Sequence, residues 1–182
     1  MVATSNAEPP KHTTCTLGVD LIVFYHPKDY ENVRDVICVA KSLGISKIAI
    51  VKRPGIECSR ITVWGVRLFD SLDDVIKAYQ GLKYIVLETY GFSDMSLLRN
   101  SCGKRLGVIL GAEDYGIPRH IVESIPDKLI IRLPMKVASA SYNVVTALVI
   151  LLYELMKQCA SQACVSMSTS FLNRVETYVN PR

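Results

Sequence analysis

Residues 106–118 read LGVILGAEDYGIP, an apolar run that stops abruptly at a loop carrying Gly111, Gly116 and Pro118. Such a run is a buried strand, and glycine just beyond it lets the main chain turn sharply and approach a ligand closely. A second copy of the design follows. Residues 129–133 (LIIRL) make a short apolar strand halted at Pro134, residues 135–139 are a loop of small and polar side chains, and a helix opens at Ser141 or Asn143 and runs VVTALVILLYELM. Ser and Asn are the residue types that satisfy the free N–H groups of a first helical turn. Two strands that end in small-residue loops point to an open α/β sheet with its ligand at the strands' carboxyl ends.

The rest of the chain agrees with that sheet. Residues 17–25 (LGVDLIVFY) form a first strand, interrupted in pattern by Asp20 and closed by His26-Pro27, because proline cannot extend strand pairing. From Asn32, the residues Val33, Val36, Ile37 and Ala40 recur at helical spacing, and Gly44 stops that helix. Residues 48–51 are strand two, which completes a βαβ unit with a right-handed crossover. Residues 61–69 are strand-like, Ser71 opens a capping-box helix that stops at Gly81, residues 84–88 form another buried strand, and residues 93–100 form a short helix. The tail beyond Met156 is serine-rich to residue 170 and ends in an amphipathic segment with Phe171, Leu172, Val175 and Tyr178 on one side. This alternation predicts an α/β fold with about five or six mostly parallel strands and helices on both faces.

With 182 residues, 49% of them hydrophobic and 21% charged, the chain suits one domain over residues 17–182 behind a flexible arm at 1–16. A net charge of +4 permits RNA binding without requiring it. The cysteines at 15, 38, 58, 102, 159 and 164 show no C-x-x-C spacing, so free cytosolic thiols are expected, with a disulfide between two of them as the alternative. His12, His26 and His120 are scattered, and no metal site is expected. The apolar run 144–156, about 13 residues, is short for a bilayer span. The polar opening MVATSNAEPPKHTT lacks a signal segment, which suggests a cytoplasmic protein with no membrane partner.

The two loops together carry a resemblance. GAEDYGIP resembles the G-x-E-x-x-G-[hydrophobic]-[Pro/Ser] motif of SPOUT methyltransferases of the SpoU/TrmH-like branch. LPM…SASYNVVTALVILLYEL resembles that branch's last motif, I-P-M-x-G-x-x-x-S-L-N-V-x-x-A, in the same order and at the same spacing. The resemblance implies a SPOUT fold with a C-terminal deep trefoil knot, a chain path otherwise all but absent from proteins. It also implies a bent pocket for S-adenosylmethionine (SAM), a homodimer, and 2′-O-methylation of ribose in tRNA or rRNA. An arm of 16 residues holds no separate RNA-binding domain, which favours tRNA over rRNA.

Methyl transfer to a hydroxyl requires two positioned substrates and removal of a proton. By resemblance, the backbone around Leu110, Gly111, Ile131, Leu133 and Met135 holds the adenine, and Thr89 lies near the methionine end, although a threonine there also suits a strand end. Glu113 organises the site, while Ser141 and Asn143 contact SAM or ribose and serve equally as helix caps. The relatives' first motif, N-x-G-x-x-x-R, is broken here. Asn32 keeps its place, Arg34 stands at the glycine position and Cys38 at the arginine position. Arg34, Cys38 and Lys41 share one helical stripe, so Arg34 is expected to reach the place of the usual arginine, against the alternative of a solvated surface residue.

Lys28, Arg34, Lys41, Lys52, Arg53 and Arg119 are candidates for a phosphate track. Trp64 reads as core and His26 as a turn residue. Val145, Leu148, Leu152 and Leu155 form one stripe of the last helix, suited to a dimer interface or to the core. Two alternatives stand beside ribose methylation. One is a SPOUT-fold protein that binds SAM or RNA without methylating ribose, or that methylates a base. The other is an unrelated nucleotide-binding α/β protein, which the absence of P-loop and G-x-G-x-x-G patterns disfavours.

Overall fold

The computed structural model describes residues 18–56, 65–137 and 140–179, with side chains described as far as residue 161. Its elements are β1 (Val19–Tyr25), α1 (Tyr30–Ser42), β2 (Lys47–Val51), β3 (Arg67–Phe69), α2 (Leu72–Ala78), β4 (Lys83–Phe92), a 3-10 turn (Met95–Ser101), β5 (Leu106–Leu110), α3 (Arg119–Ser124), β6 (Lys128–Ile131) and α4 (Val144–Val179). The strands form one six-stranded sheet in the order β3-β2-β1-β5-β4-β6, parallel throughout.

A parallel sheet covered on both faces needs strands that are apolar on both faces. β1 obeys this: Leu21, Ile22, Val23 and Phe24 are all fully buried. Ile22, Phe24, Val108 and Leu110 face α1 and α4 through Val33, Val36, Leu148 and Leu152. Leu21, Val23, Val86 and Ile109 face the opposite layer, with Val75 of α2 and Val122 of α3. Asp20, the polar break in the first strand's pattern, pairs with Arg105 at 2.7 Å, beside the register shift where β1 meets β5.

Local signals set the helix ends. Asp29 caps α1 by accepting from Glu31 N at 2.8 Å, and Gly44 beyond its end has φ +76°. Ser71 caps α2 by accepting from Asp74 N at 3.2 Å. That helix ends at Ala78, short of Gly81, because Tyr79 leaves the helical region at φ −125° and ψ 62°.

Several expectations need correcting. β4 continues to Phe92 instead of stopping at residue 88, because it pairs with β6 again at Phe92 after a register shift, and Arg132 N donates to Phe92 O at 2.8 Å. β6 ends at Ile131 rather than at 133. The six-residue α3 was not foreseen, and no side chain caps it.

The last helix runs through the serine-rich tail as one element of 36 residues. Its stretch Val144–Ser161 has the length and composition of a membrane span, with a mean hydropathy of 1.5, so the shorter apolar run understated it. Yet Leu148, Leu152 and Leu155 of the expected stripe are buried within the domain, and Val145 packs half-buried against the same core. Val149, Tyr153 and Met156 remain on the open side.

Cys102 and Cys159 form a disulfide across 57 residues, tying the end of the 3-10 turn to α4, so these two are not the free thiols expected. Their separation in sequence left no spacing signal. Cys38 is free and exposed. The arm at 1–16, residues 61–64 of the third strand with Trp64, the cysteines at 15, 58 and 164, His12 and the amphipathic tail's side chains lie outside the described residues.

Candidate active site

In this strand order the chain moves outward from β1 through β2 to β3, and the later strands build on the other side of β1. The carboxyl ends of β1 and β5 therefore flank a topological switch point, where a crevice opens. The loop after β1 and the loop after β5 meet there, and Glu113 joins them. Its Oε2 accepts from Lys28 N at 2.9 Å, and its Oε1 accepts from Asp29 N at 3.3 Å and from Asn32 Nδ2 at 3.2 Å. Asn32 Oδ1 in turn accepts from Asn143 Nδ2 at 3.1 Å, and Asn143 Oδ1 accepts from Val145 N at 2.8 Å, capping α4. One hydrogen-bonded chain thus links residues from all three motifs.

This chain borders a cavity of about 540 Å³, within the size range of small-molecule sites. Asn32, Thr89, Leu110, Gly111, Glu113, Ile131, Leu133, Met135, Ser141 and Asn143 all line it. Arg34 does not: its Nε sits 3.2 Å from Asp35 Oδ1 and its side chain is 57% exposed. A Cβ at Gly111 would fall 2.8 Å from Glu88 Oε1 and 2.9 Å from Gly116 Cα, so main chain alone fits there. The wall is a cradle of backbone and small side chains that would hold a nucleoside-type cofactor, and SAM fits it.

Among the lining side chains that the sequence did not single out, Glu88 stands apart. Glu88 is half-buried, and its Oε1 accepts from Ile117 N at 2.6 Å. Desolvation raises its pKa above the ordinary carboxylate value, partly opposed by the backbone N–H groups of Ile117 and Thr89. The one available signal was an acid at the end of the apolar run YIVLE. Arg132 and Tyr142 also line the cavity, and the Tyr142 hydroxyl donates to Pro134 O at 3.2 Å.

Beside the cavity, Arg53 forms a two-pronged ion pair with Asp114, both contacts at 2.9 Å, and lies 5.1 Å over the Tyr115 ring. That arginine holds the Asp114 carboxyl below its ordinary pKa. His26 is more than a turn residue. Its ring stacks on Tyr25 at 3.9 Å, its Nδ1 is 2.6 Å from the Tyr115 hydroxyl, and its φ is +50°. Burial, and then the charge of Arg53, lowers the His26 pKa.

The supposed phosphate track is largely engaged within the protein. Arg34 pairs with Asp35, Lys52 with Asp70 and Arg53 with Asp114, and Arg119 lies 4.7 Å over the Tyr90 ring. Among the described residues, no group of three His, Cys, Asp or Glu side chains is placed to hold a metal ion.

Comparison with known proteins agrees with this geometry. The chain is 25% identical over 148 residues to the tRNA (cytidine(34)-2′-O)-methyltransferase of Aeromonas hydrophila, covering 75% of this chain and 92% of that one. A solved structure concerned with the 2-OH methylation of C/U34 on tRNA superposes with a TM-score of 0.66 at 20% identity, covering 79% of this chain and 97% of the other. The SpoU methyltransferase AviRb from Streptomyces viridochromogenes, solved with the cofactor AdoMet, superposes with a TM-score of 0.61 at 18% identity, covering 78% and 60%. The model of the SpoU rRNA methylase family matches residues 20–153, and the chain belongs to that family.

Proposed function

We propose that this SAM-dependent RNA methyltransferase acts on the ribose 2′-hydroxyl of a tRNA, as a cytoplasmic homodimer. The observation that carries the reading is the hydrogen-bonded chain Glu113–Asn32–Asn143 at the rim of a glycine-walled cavity. The likeness to a curated tRNA 2′-O-methyltransferase over most of both chains supports tRNA as the substrate.

When bound, SAM supplies an electrophilic methyl group. In this reading the backbone of Leu110, Gly111, Ile131, Leu133 and Met135 holds the adenosine, and Thr89 adjoins the methionine end. Asn32, Glu113, Ser141 and Asn143 orient the ribose, since a rigid set of donors and acceptors lowers the entropy cost of aligning two substrates. Arg34 meets the RNA backbone from outside the cavity. Membership of the family supports the threaded path of a carboxyl-terminal trefoil knot. The exposed Val149, Tyr153 and Met156, one helical stripe of α4, support a subunit contact.

The test is transfer of labelled methyl from SAM to tRNA and to rRNA fragments, followed by alkaline hydrolysis. A 2′-O-methyl blocks cleavage at its own linkage, so label in an alkali-resistant dinucleotide from tRNA is the expected result. Label released in mononucleotides would indicate base methylation. A monomer by light scattering at micromolar concentration would count against the dimer.

A further inference from the structure

We propose that Glu88 reads the charge on the cofactor: its carboxylate favours the cationic SAM over neutral S-adenosylhomocysteine and so promotes exchange of product for fresh substrate. The inference rests on the SAM reading above.

Glu88 lies at the carboxyl-terminal part of β4, in the cavity wall. Its oxygens pack against Gly111 and Gly116, where a Cβ at position 116 would lie 2.7 and 2.8 Å from them. One oxygen accepts the Ile117 N–H at 2.6 Å, which clips the Gly111–Gly116 loop onto the sheet. That clip needs an acceptor and no charge. The neighbouring acids differ: Asp114 pairs with Arg53, and Glu113 is exposed to solvent while accepting from Lys28 N, Asp29 N and Asn32 Nδ2. Glu88 is half-buried and has no Lys, Arg or His partner among the described residues.

A half-buried carboxylate without a cation is unfavourable unless something cationic shares its cavity. The raised pKa of this group is the same imbalance seen from the proton's side. The missing partner must be a cation that comes and goes with the ligand. A sulfonium meets that requirement. On transfer the C–S bond pair stays with sulfur, a new O–CH₃ bond forms at the ribose, and the hydroxyl proton departs to solvent, leaving a neutral thioether. The charge Glu88 would balance therefore disappears with turnover.

Calorimetric titration of SAM and of S-adenosylhomocysteine into the wild-type chain and Glu88→Gln tests this, because glutamine keeps an acceptor oxygen for Ile117 N while removing the charge. The expected result is a SAM affinity lowered by about tenfold, with homocysteine-product affinity held within about twofold. An unchanged ratio of the two affinities overturns the proposal. Should Glu88→Gln fail to fold by circular dichroism, sinefungin, whose amine replaces the sulfonium methyl, is compared with S-adenosylhomocysteine on the wild type. Tighter binding of the protonated amine supports the proposal, and equal binding overturns it. A wild-type chain that binds none of the three overturns the methyltransferase reading, and this inference with it.

Discussion

Asn32 and Asn143, 111 residues apart, share a hydrogen bond of 3.1 Å, and each uses its second amide atom on another partner. Asn32 Nδ2 reaches Glu113, and Asn143 Oδ1 caps α4 through Val145 N. Position 143 therefore carries two separable duties, a helix cap made by the oxygen and a link to Asn32 made by the nitrogen.

Substitution separates them. Asn143→Ala loses both and should destabilise the fold by about 1 kcal/mol, the usual value of a cap, while methyl transfer falls by about a hundredfold. Asn143→Asp keeps the capping oxygen but cannot donate to Asn32, so its thermal midpoint should match wild type while its activity falls like that of the alanine variant. Full activity in Asn143→Asp, measured beside its melting curve, would show that the link to Asn32 is dispensable.

Glu113 spans two main-chain donors and one side chain with two oxygens. Glu113→Gln replaces one acceptor with a donor that faces N–H groups, so it should lose the Lys28 contact or the shared Asp29 and Asn32 contact. The expected signature is a loss of about 1 to 3 kcal/mol in stability, from a hydrogen bond to a charged group. Faster amide exchange confined to the start of α1 should accompany it. Uniform exchange across the chain would refute the assignment of Glu113 as the tie between these loops.

The His26 pKa lies below its ordinary value of 6.5 because burial disfavours the imidazolium. The unfolded chain then binds the proton more readily than the folded one. Its contribution to stability is complete above the unfolded pKa and is lost as pH falls from about 6.5 toward the folded value. His26→Asn suits the observed φ of +50° and should flatten melting temperature against pH in that window. An identical slope in both proteins would assign the acid sensitivity elsewhere.

The Cys102–Cys159 bridge closes a loop of 57 residues, which in the chain-entropy picture stabilises the oxidised fold by about 4 kcal/mol. Reductant should lower the wild-type melting temperature by several degrees. Cys159→Ser should match the reduced wild type and ignore reductant. No shift on reduction of the wild type would mean that packing of the 3-10 turn on α4 suffices alone.

Gly91→Ala places a Cβ 2.7 Å from Ile131 C and 2.8 Å from Ile130 C and Ile131 N, all main-chain atoms that have nowhere to retreat. Overpacking of this kind typically costs about 1 to 3 kcal/mol. Because Ile131 begins the cavity wall, SAM affinity should drop together with the melting temperature. A variant with normal stability and affinity would show that β4 and β6 can separate there.

The strands and the motif loops were legible because their signals are local: an apolar run, then glycine, proline or a capping residue. Ten of the eleven residues named for the site converge on the cavity for the same reason, since a motif fixes where its own side chains sit on a loop. Arg34 lies outside the lining: helical spacing gives its stripe but not the direction that stripe faces, and its side chain is exposed beside Asp35. Glu88 was hidden inside a strand whose pattern announced only burial, and its role depends on a loop 29 residues away. The Cys102–Cys159 pair and the re-pairing of β4 at Phe92 are products of tertiary proximity, which periodicity does not encode.

Glu113 holds the loop after β1 largely through the main-chain N–H groups of Lys28 and Asp29, and Asn32 is the single side chain in that grip. Every residue type except proline offers such an N–H. The side chain at position 28 can therefore change, and with it the surface shown to an RNA, while the geometry beneath stays fixed. Drift at position 28 retunes the face presented to an RNA without rebuilding how the enzyme works, whereas position 29 stays tied to its cap on α1.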